Sequence, residues 1–179
     1  MTSQSNLKKS ENSYDWLGSG IYFWENNPER ALNYVKELKS AGRNNIEEPY
    51  VVGAVIDLGY CLNLLESKSL RLLNENYSRL AVLYAEAGLA LPSNHTVKGC
   101  EDLLLRHLDC QVIETMHQFR EERHEQPFDS VRGVFWEGQE LYPGAGFKEK
   151  NHIQMCVRNP NCIKGFFRVR KDNSKFHIP

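Results

Sequence analysis

A strand that runs straight into a helix leaves a chain few ways to fold. Residues 15–31 read as such a unit: Asp15-Trp16-Leu17-Gly18-Ser19-Gly20-Ile21-Tyr22-Phe23-Trp24-Glu25, then Asn26-Asn27-Pro28-Glu29-Arg30-Ala31. Two glycines two apart permit a tight backbone approach ahead of a short apolar and aromatic run, residues 20–24, that reads as a strand. The helix begins at once. Asn26 or Asn27 caps it, Pro28 suits its first turn and Glu29 complements its positive end, while Ala31, Tyr34, Val35, Leu38 and Ala41 share one face until Gly42 stops it. Tyr22 on the strand and Tyr34 on the helix are therefore expected beside one crevice.

Downstream, β-branched density over residues 50–58 predicts a buried strand, continued past Gly59 by residues 60–64. Leu70, Leu73, Tyr77, Leu80, Ala81, Tyr84 and Ala87 recur at threes and fours and predict a long helix ending at Gly88. A second helix is expected over 100–123, with Leu104, His107, Leu108, Ile113, Met116 and Phe119 inward and Arg120-Glu121-Glu122-Arg123-His124-Glu125 as its solvated end. His107 in that stripe reads as a core or edge histidine. Strand character returns at 127–138, where Val131, Gly133 and Phe135 alternate with Ser130, Arg132 and Val134. Turn residues Tyr142-Pro143-Gly144-Ala145-Gly146 lead to a last strand over 151–158, where period two sets Ile153, Met155 and Val157 toward the core and His152, Gln154 and Cys156 on the other face. The polar residues 1–14 read as loop.

With 179 residues, 41% of them apolar, the chain is long enough for a single domain with a proper core, 1–179. Net charge is −1, so composition does not call for nucleic acid. Lys148, Lys150, Arg158, Lys164, Arg168, Arg170, Lys171 and Lys175 nevertheless outnumber Glu149 and Asp172 after Phe147, which reads as a solvated basic surface in preference to a polyanion-steering one. Cys61, Cys100, Cys110, Cys156 and Cys162 include no CxxC pair and no matching histidine spacing, so no metal is expected. An odd cysteine count without a signal peptide predicts a reducing, cytoplasmic setting, and no run approaches the roughly 20 apolar residues of a membrane span.

Gly18-Ser19-Gly20-Ile21-Tyr22-Phe23 resembles the glycine-lysine-glycine-isoleucine-tyrosine-phenylalanine strand of the NAD-using ADP-ribosyltransferases, the poly(ADP-ribose) polymerase-like branch especially. Ala31-Leu32-Asn33-Tyr34 matches the alanine-x-tyrosine end of the helix that follows, with one residue inserted. In that family the two tyrosines sandwich the nicotinamide ring, where stacking and cation–π attraction contribute about 0.5–2 kcal/mol. Gln154-Met155-Cys156-Val157-Arg158-Asn159-Pro160-Asn161-Cys162-Ile163 can be laid without a gap on the segment opened by the family's catalytic glutamate, putting Gln154 at that position. His152 stands where related toxins carry the first member of a Glu-x-Glu or Gln-x-Glu pair, after a substrate-recognition loop at 142–151, and Glu149 is the nearest carboxylate. The family's His-Gly pair, which holds the ribose and the nicotinamide amide, has no counterpart before Gly18; His95 is a distant substitute.

The resemblance covers about a quarter of the chain and implies an α+β fold with a split, mainly antiparallel sheet of ADP-ribosyltransferase type and inserted helices. It implies NAD as co-substrate, held by Gly20, Ile21, Tyr22, Phe23, Ala31 and Tyr34, with Tyr22, Gln154, His152 and Glu149 as catalytic candidates. Cleavage of the nicotinamide–ribose bond passes through an oxocarbenium-like transition state. Gln154 can accept a hydrogen bond from a ribose hydroxyl but has no charge to stabilise the cation, which points to mono-ADP-ribosyl transfer by a toxin or defence protein acting on a protein or nucleic acid. The missing His-Gly pair favours a second reading, a silent NAD-, nucleic-acid- or partner-binding relative, or a shortened form of an active enzyme. A third is an unrelated interaction protein whose Tyr22 is buried far from Gln154. A sheet edge lacking its first strand is an expected place for self-association or an antitoxin.

Overall fold

The computed structural model describes residues 7–42, 46–170 and 175; residues 1–6 of the expected loop and Lys171 and Asp172 of the basic stretch lie outside that set. Strand β1 (Ile21–Trp24) is followed by helix α1 (Pro28–Ser40). The reversal uses Asn26 at φ 48°, and Asn27 is the cap, its side-chain oxygen accepting the Arg30 N–H at 2.9 Å. Pro28 occupies the first turn, where its missing N–H leaves nothing unpaired. Gly42, at φ +66°, lies just past the helix's C-cap at Ala41.

The order continues with β2 (Val52–Ile56), β3 (Cys61–Asn63), α2 (Ser67–Glu86), β4 (Asn94–His95), β5 (Leu105–Arg106) and α3 (His107–Glu122). Then come β6 (Ser130–Phe135), β7 (His152–Val157), a 3-10 turn (Pro160–Cys162) and β8 (Ile163–Arg168). The main sheet has the order β1-β7-β6-β3, antiparallel except where β3 runs parallel to β6. β2 and β8 form a separate antiparallel ribbon, and β4 and β5 a short one. The architecture is thus α+β with mainly antiparallel pairing.

Directly opposed residues share a face of a sheet. Leu62, Val131, Phe135 and Cys156 therefore share one, and they form the core with Leu17, Phe128 and the α3 residues Ile113 and Met116. No described helix is long and apolar enough to cross a membrane.

Four expectations need correcting. The strand within 50–58 is not buried: Val52 and Val55 are exposed, because β2 pairs only with β8 in a two-stranded ribbon outside the main sheet. The segment at 60–64 does not prolong β2: Gly59, at φ +57°, breaks the run, and β3 joins the main sheet while β2 pairs with β8. The helix expected over 100–123 starts at His107, because Arg106 is spent on β5 and the helix is capped from a distance by Asn94, whose side-chain oxygen accepts the Leu108 and Asp109 N–H groups at 2.9 and 3.3 Å. The helix-covered face of β7 carries His152, Gln154 and Cys156; Ile153 and Met155 lie on the opposite face, partly exposed. Alternation was right and the choice of inward side held only in part: Val157, expected inward, is 1% exposed, but His152 and Cys156, expected on the other face, are buried as well, Cys156 in the cluster with Leu17, Ile113 and Met116.

Candidate active site

The glycine turn ahead of β1 is held on every side. Gly18 has φ +76°, and a Cβ there would meet Glu114 Oε1 at 2.4 Å. A Cβ on Gly20 would meet Cys156 Sγ at 2.4 Å and the Val157 carbonyl oxygen at 2.8 Å, so β1 approaches β7 as closely as it does because Gly20 has no side chain, while Gly18 lets the turn seat against Glu114 and Ile113 of α3. Glu114 Oε1 accepts the Ser19 N–H and an Arg158 guanidinium N–H, each at 2.6 Å, while Arg158 also donates to the Ser19 carbonyl at 3.0 Å. Burial works to raise the Glu114 pKa, but the bonds from Arg158 and Ser19 outweigh it and hold the carboxyl below its usual range. Tyr22 closes the turn from beneath: its hydroxyl donates to the Gly18 carbonyl at 2.7 Å and accepts the Leu17 N–H at 3.0 Å. Burial, reinforced by Cys156, pushes the phenol far above its ordinary pKa.

Two residues along β1 the surroundings change. Trp24 lies opposite Gln154, and on the far side of β7 Gly133 faces Gln154 and Phe135 faces His152. Tyr34 leans in from α1, its ring centroid 5.1 Å from Trp24 at a 45° tilt, and the Trp24 and His152 centroids are 6.4 Å apart. Phe135 stacks on His152 at 5.3 Å and 11°.

The His152 side chain is fully buried. Its Nδ1 sits 2.5 Å from the Lys150 carbonyl oxygen, which assigns the proton to Nδ1, and its Nε2 then accepts from the Gln154 amide nitrogen at 2.8 Å. Burial, with Arg30 adding to it, lowers the His152 pKa against the opposing pull of the Lys150 carbonyl, which favours the neutral ring. With its amide nitrogen donating to His152, Gln154 keeps its carbonyl oxygen available as an acceptor.

Glu137, beyond the end of β6, brings a carboxylate to the cluster. It lies 3.9 Å from His152 Nδ1 and 3.8 Å from an Arg30 guanidinium nitrogen, and its pKa is raised, chiefly by burial and further by Asp102, against the pull of Arg30 and Lys150. The Arg30 guanidinium carbon stands 5.9 Å from the Tyr34 ring centroid.

The expected residues are thus partly gathered. Tyr22, Gln154 and His152 share one face of the sheet, with Gln154 diagonal to Tyr22, yet Trp24 is the strand residue that meets Tyr34. Ile21 and Phe23 point to the opposite face, Gly20 makes the close approach to β7, and Ala31 is half-buried on α1. Glu149 is exposed, and among the described residues no contact joins it to His152 or Gln154. His95 bonds Ser93 at 3.0 Å and lies beside His107, apart from this cluster. Trp24, Arg30 and Glu137 were not singled out from the sequence. Period two extended from Val131, Gly133 and Phe135 reaches Glu137 and was the available signal.

Behind Phe135, on the side away from His152, a cleft of about 430 Å³ opens between α2, α3 and the sheet, lined by Leu17, Leu73, Tyr77, Arg106, Ile113 and Phe135 among others. Among the described residues no group of His, Cys, Asp and Glu side chains is placed to hold a metal ion. No family model matches this sequence, and no curated protein or solved structure matches it.

Proposed function

We propose that the chain is an NAD-dependent mono-ADP-ribosyltransferase with a split-sheet ADP-ribosyltransferase domain, a cytoplasmic toxin or defence protein that modifies a protein or nucleic acid. One observation carries this reading: the Gly-Ile-Tyr-Phe-Trp strand is paired in register with the His-Ile-Gln strand, so that Trp24 opposes Gln154 while Tyr34 closes over Trp24. Bound NAD supplies a nicotinamide–ribose bond whose cleavage develops positive charge on the ribose. Gln154 offers its carbonyl oxygen to a ribose hydroxyl, with His152 fixing the amide orientation. His152 Nε2 is engaged and does not serve as the base, so the acceptor's proton goes to a carboxylate, Glu137 or the exposed Glu149, as the acceptor bonds the ribose carbon and nicotinamide leaves. The outer edge of β1, where Ser10 pairs with Gly20 and no described strand continues, suits an antitoxin strand or a second copy.

A second reading, a silent NAD-binding relative, is favoured by Gln154 having no charged hydrogen-bond partner among the described residues. The test is incubation with labelled NAD and a whole-cell extract, following label into protein and nucleic acid separately, with Gln154→Ala and Tyr34→Ala alongside. Tyr22→Ala would not discriminate, because it releases the glycine turn that the Tyr22 hydroxyl holds. Transfer is expected, reduced about 10- to 100-fold by either substitution. NAD binding without transfer would select the second reading.

A further inference from the structure

Among the described residues β2 and β8 pair only with each other, and a two-stranded ribbon standing alone is marginal in water. Such a ribbon gains most by burying its apolar residues. Instead Phe166 and Phe167, successive on β8 and so on opposite faces, are 56% and 50% exposed, with Val52 and Val55 of β2 exposed as well. Tyr50, just ahead of β2, is 76% exposed. Phe167 opposes Gly53, and a Cβ on that glycine would lie 2.4 Å from two atoms of the Phe167 ring. One side of the ring therefore rests on bare backbone and the other is open to solvent.

Cations are interleaved with these rings. Residues 50–58 and 163–170 together carry Lys164, Arg168 and Arg170 against one carboxylate, Asp57. Arg168 opposes Val52 and Phe166 opposes Ala54, which puts Phe166 and Arg168 on one face. Lys164 Nζ donates to the Asn161 carbonyl at 2.8 Å and keeps its charge, and among the described residues neither Arg168 nor Arg170 is ion-paired. By sequence alone this basic stretch reads as a solvated surface, but solvation gives no reason to hold two phenylalanines out between the cations.

Open aromatic faces among unpaired cations are complementary to a chain of flat rings joined by anions. We propose that the β2–β8 ribbon binds single-stranded RNA, its bases stacking on Phe166 and Phe167 while Lys164, Arg168 and Arg170 meet its phosphates. A duplex keeps its base faces inside the stack, and RNA presents them in loops, bulges and ends. A second copy of the chain, docked face to face, would set these cations against one another. The proposal goes beyond the transferase reading and does not rest on it; where both hold, the ribbon brings RNA to the enzyme as acceptor.

The experiment is fluorescence anisotropy of a labelled single-stranded RNA of about 12 nucleotides titrated with the full chain, beside the same sequence as duplex RNA and as single-stranded DNA. Single-stranded RNA is expected to bind roughly tenfold or more tighter than the duplex, with a log–log salt slope of about −2 for three phosphate contacts. Phe166→Ala, at an exposed position, is expected to weaken binding roughly tenfold and Phe166→Tyr to retain it, while Arg168→Gln makes the salt slope shallower by about 0.7. Duplex RNA binding as tightly as the single strand would overturn stacking, on unmodified protein and without recourse to any variant. Tighter binding of single-stranded DNA would overturn the choice of RNA, and binding unchanged in Phe166→Ala would overturn the ribbon as its site. No RNA binding would remove the proposal, and sedimentation or flotation with phosphatidylserine vesicles would then name a second copy or a lipid surface as the occupant. Label passing from NAD into protein without RNA binding would remove the ribbon's role and leave the transferase standing. RNA binding without transfer would keep the ribbon and remove the transferase.

Discussion

Tyr22 and Trp24 lie two residues apart on one strand and one face, and their surroundings are opposite in kind. Around Tyr22 both hydrogen-bonding capacities of the hydroxyl are used, and the turn it closes is also bound by Glu114 and Arg158. Around Trp24 the indole N–H and two nitrogens of the neighbouring Arg30 guanidinium are buried without a hydrogen-bond partner among the described residues, although Arg30 is ion-paired at longer range with Glu37 and Glu137. Saturation holds a backbone in place; unsatisfied donors hold a place for something else, or else lower stability by about 1–3 kcal/mol per group. Breaking the saturated end should therefore harm the fold, and altering the unsatisfied end should harm binding first.

The largest effect is expected from Gly20→Ala. The added Cβ would lie 2.4 Å from Cys156 Sγ and 2.8 Å from the Val157 carbonyl, and the second contact is backbone that cannot move aside without parting β1 from β7. A loss of about 3 kcal/mol or more is expected in urea unfolding, at the upper end for overpacking. Stability within 1 kcal/mol of the parent would show that the two strands do not depend on this approach.

His117 extends the comparison to a buried polar group with no ligand role. It is 2% exposed, packs edge-on to Phe128, and burial lowers its pKa to about 4, with Arg158 and Arg120 adding to the shift and Glu114 opposing it. Because the unfolded chain binds this proton first, His117 makes stability fall as pH drops from about 6.5 toward 4, by up to roughly 3 kcal/mol. His117→Phe should flatten that part of the stability–pH curve; an unchanged slope would assign the acid sensitivity to other groups. Tyr22→Phe is expected to cost less, about 1–2 kcal/mol, by leaving the Leu17 N–H and Gly18 carbonyl without their shared partner. A loss below 0.5 kcal/mol would mean that the glycine turn is held by Glu114 and Arg158 alone.

What the sequence disclosed follows the same division between local and distant causes. α1 was legible because Asn27, Pro28 and Gly42, its punctuation, are adjacent to it in the chain, and β7 because apolar and polar residues alternate along it. The start of α3 was not, since its capping oxygen belongs to Asn94 on another strand. The inward face of β7 was read only in part, because hydrophobicity pointed to Ile153, Met155 and Val157, of which Val157 is buried, whereas Leu17 and α3 bury Cys156 and the rings of Phe135 and Trp24 flank His152 on the other side. Gln154 and His152 were singled out by their place in that strand and by the family resemblance. Glu137 and Arg30 were missed because they meet only after β6 and α1 have been brought together, and no spacing in the chain encodes that meeting.

The smallest stability change and the sharpest contrast belong to Trp24→Phe. Removing the indole N–H deletes a buried donor that has no hydrogen-bond partner among the described residues, which favours the folded state, while the smaller ring gives up part of its packing against Tyr34 and His152, which opposes it. The two terms are of similar size, so stability should stay within about 0.5 kcal/mol of the parent, in contrast to Tyr22→Phe on the same strand. Under the proposed function NAD affinity should respond the other way round, falling with Trp24→Phe at near-constant stability. A Trp24→Phe protein destabilised by about 2 kcal/mol, with affinity lost in proportion, would mean that Trp24 is part of the scaffold as Tyr22 is, and that the difference between the two ends of β1 is one of packing alone.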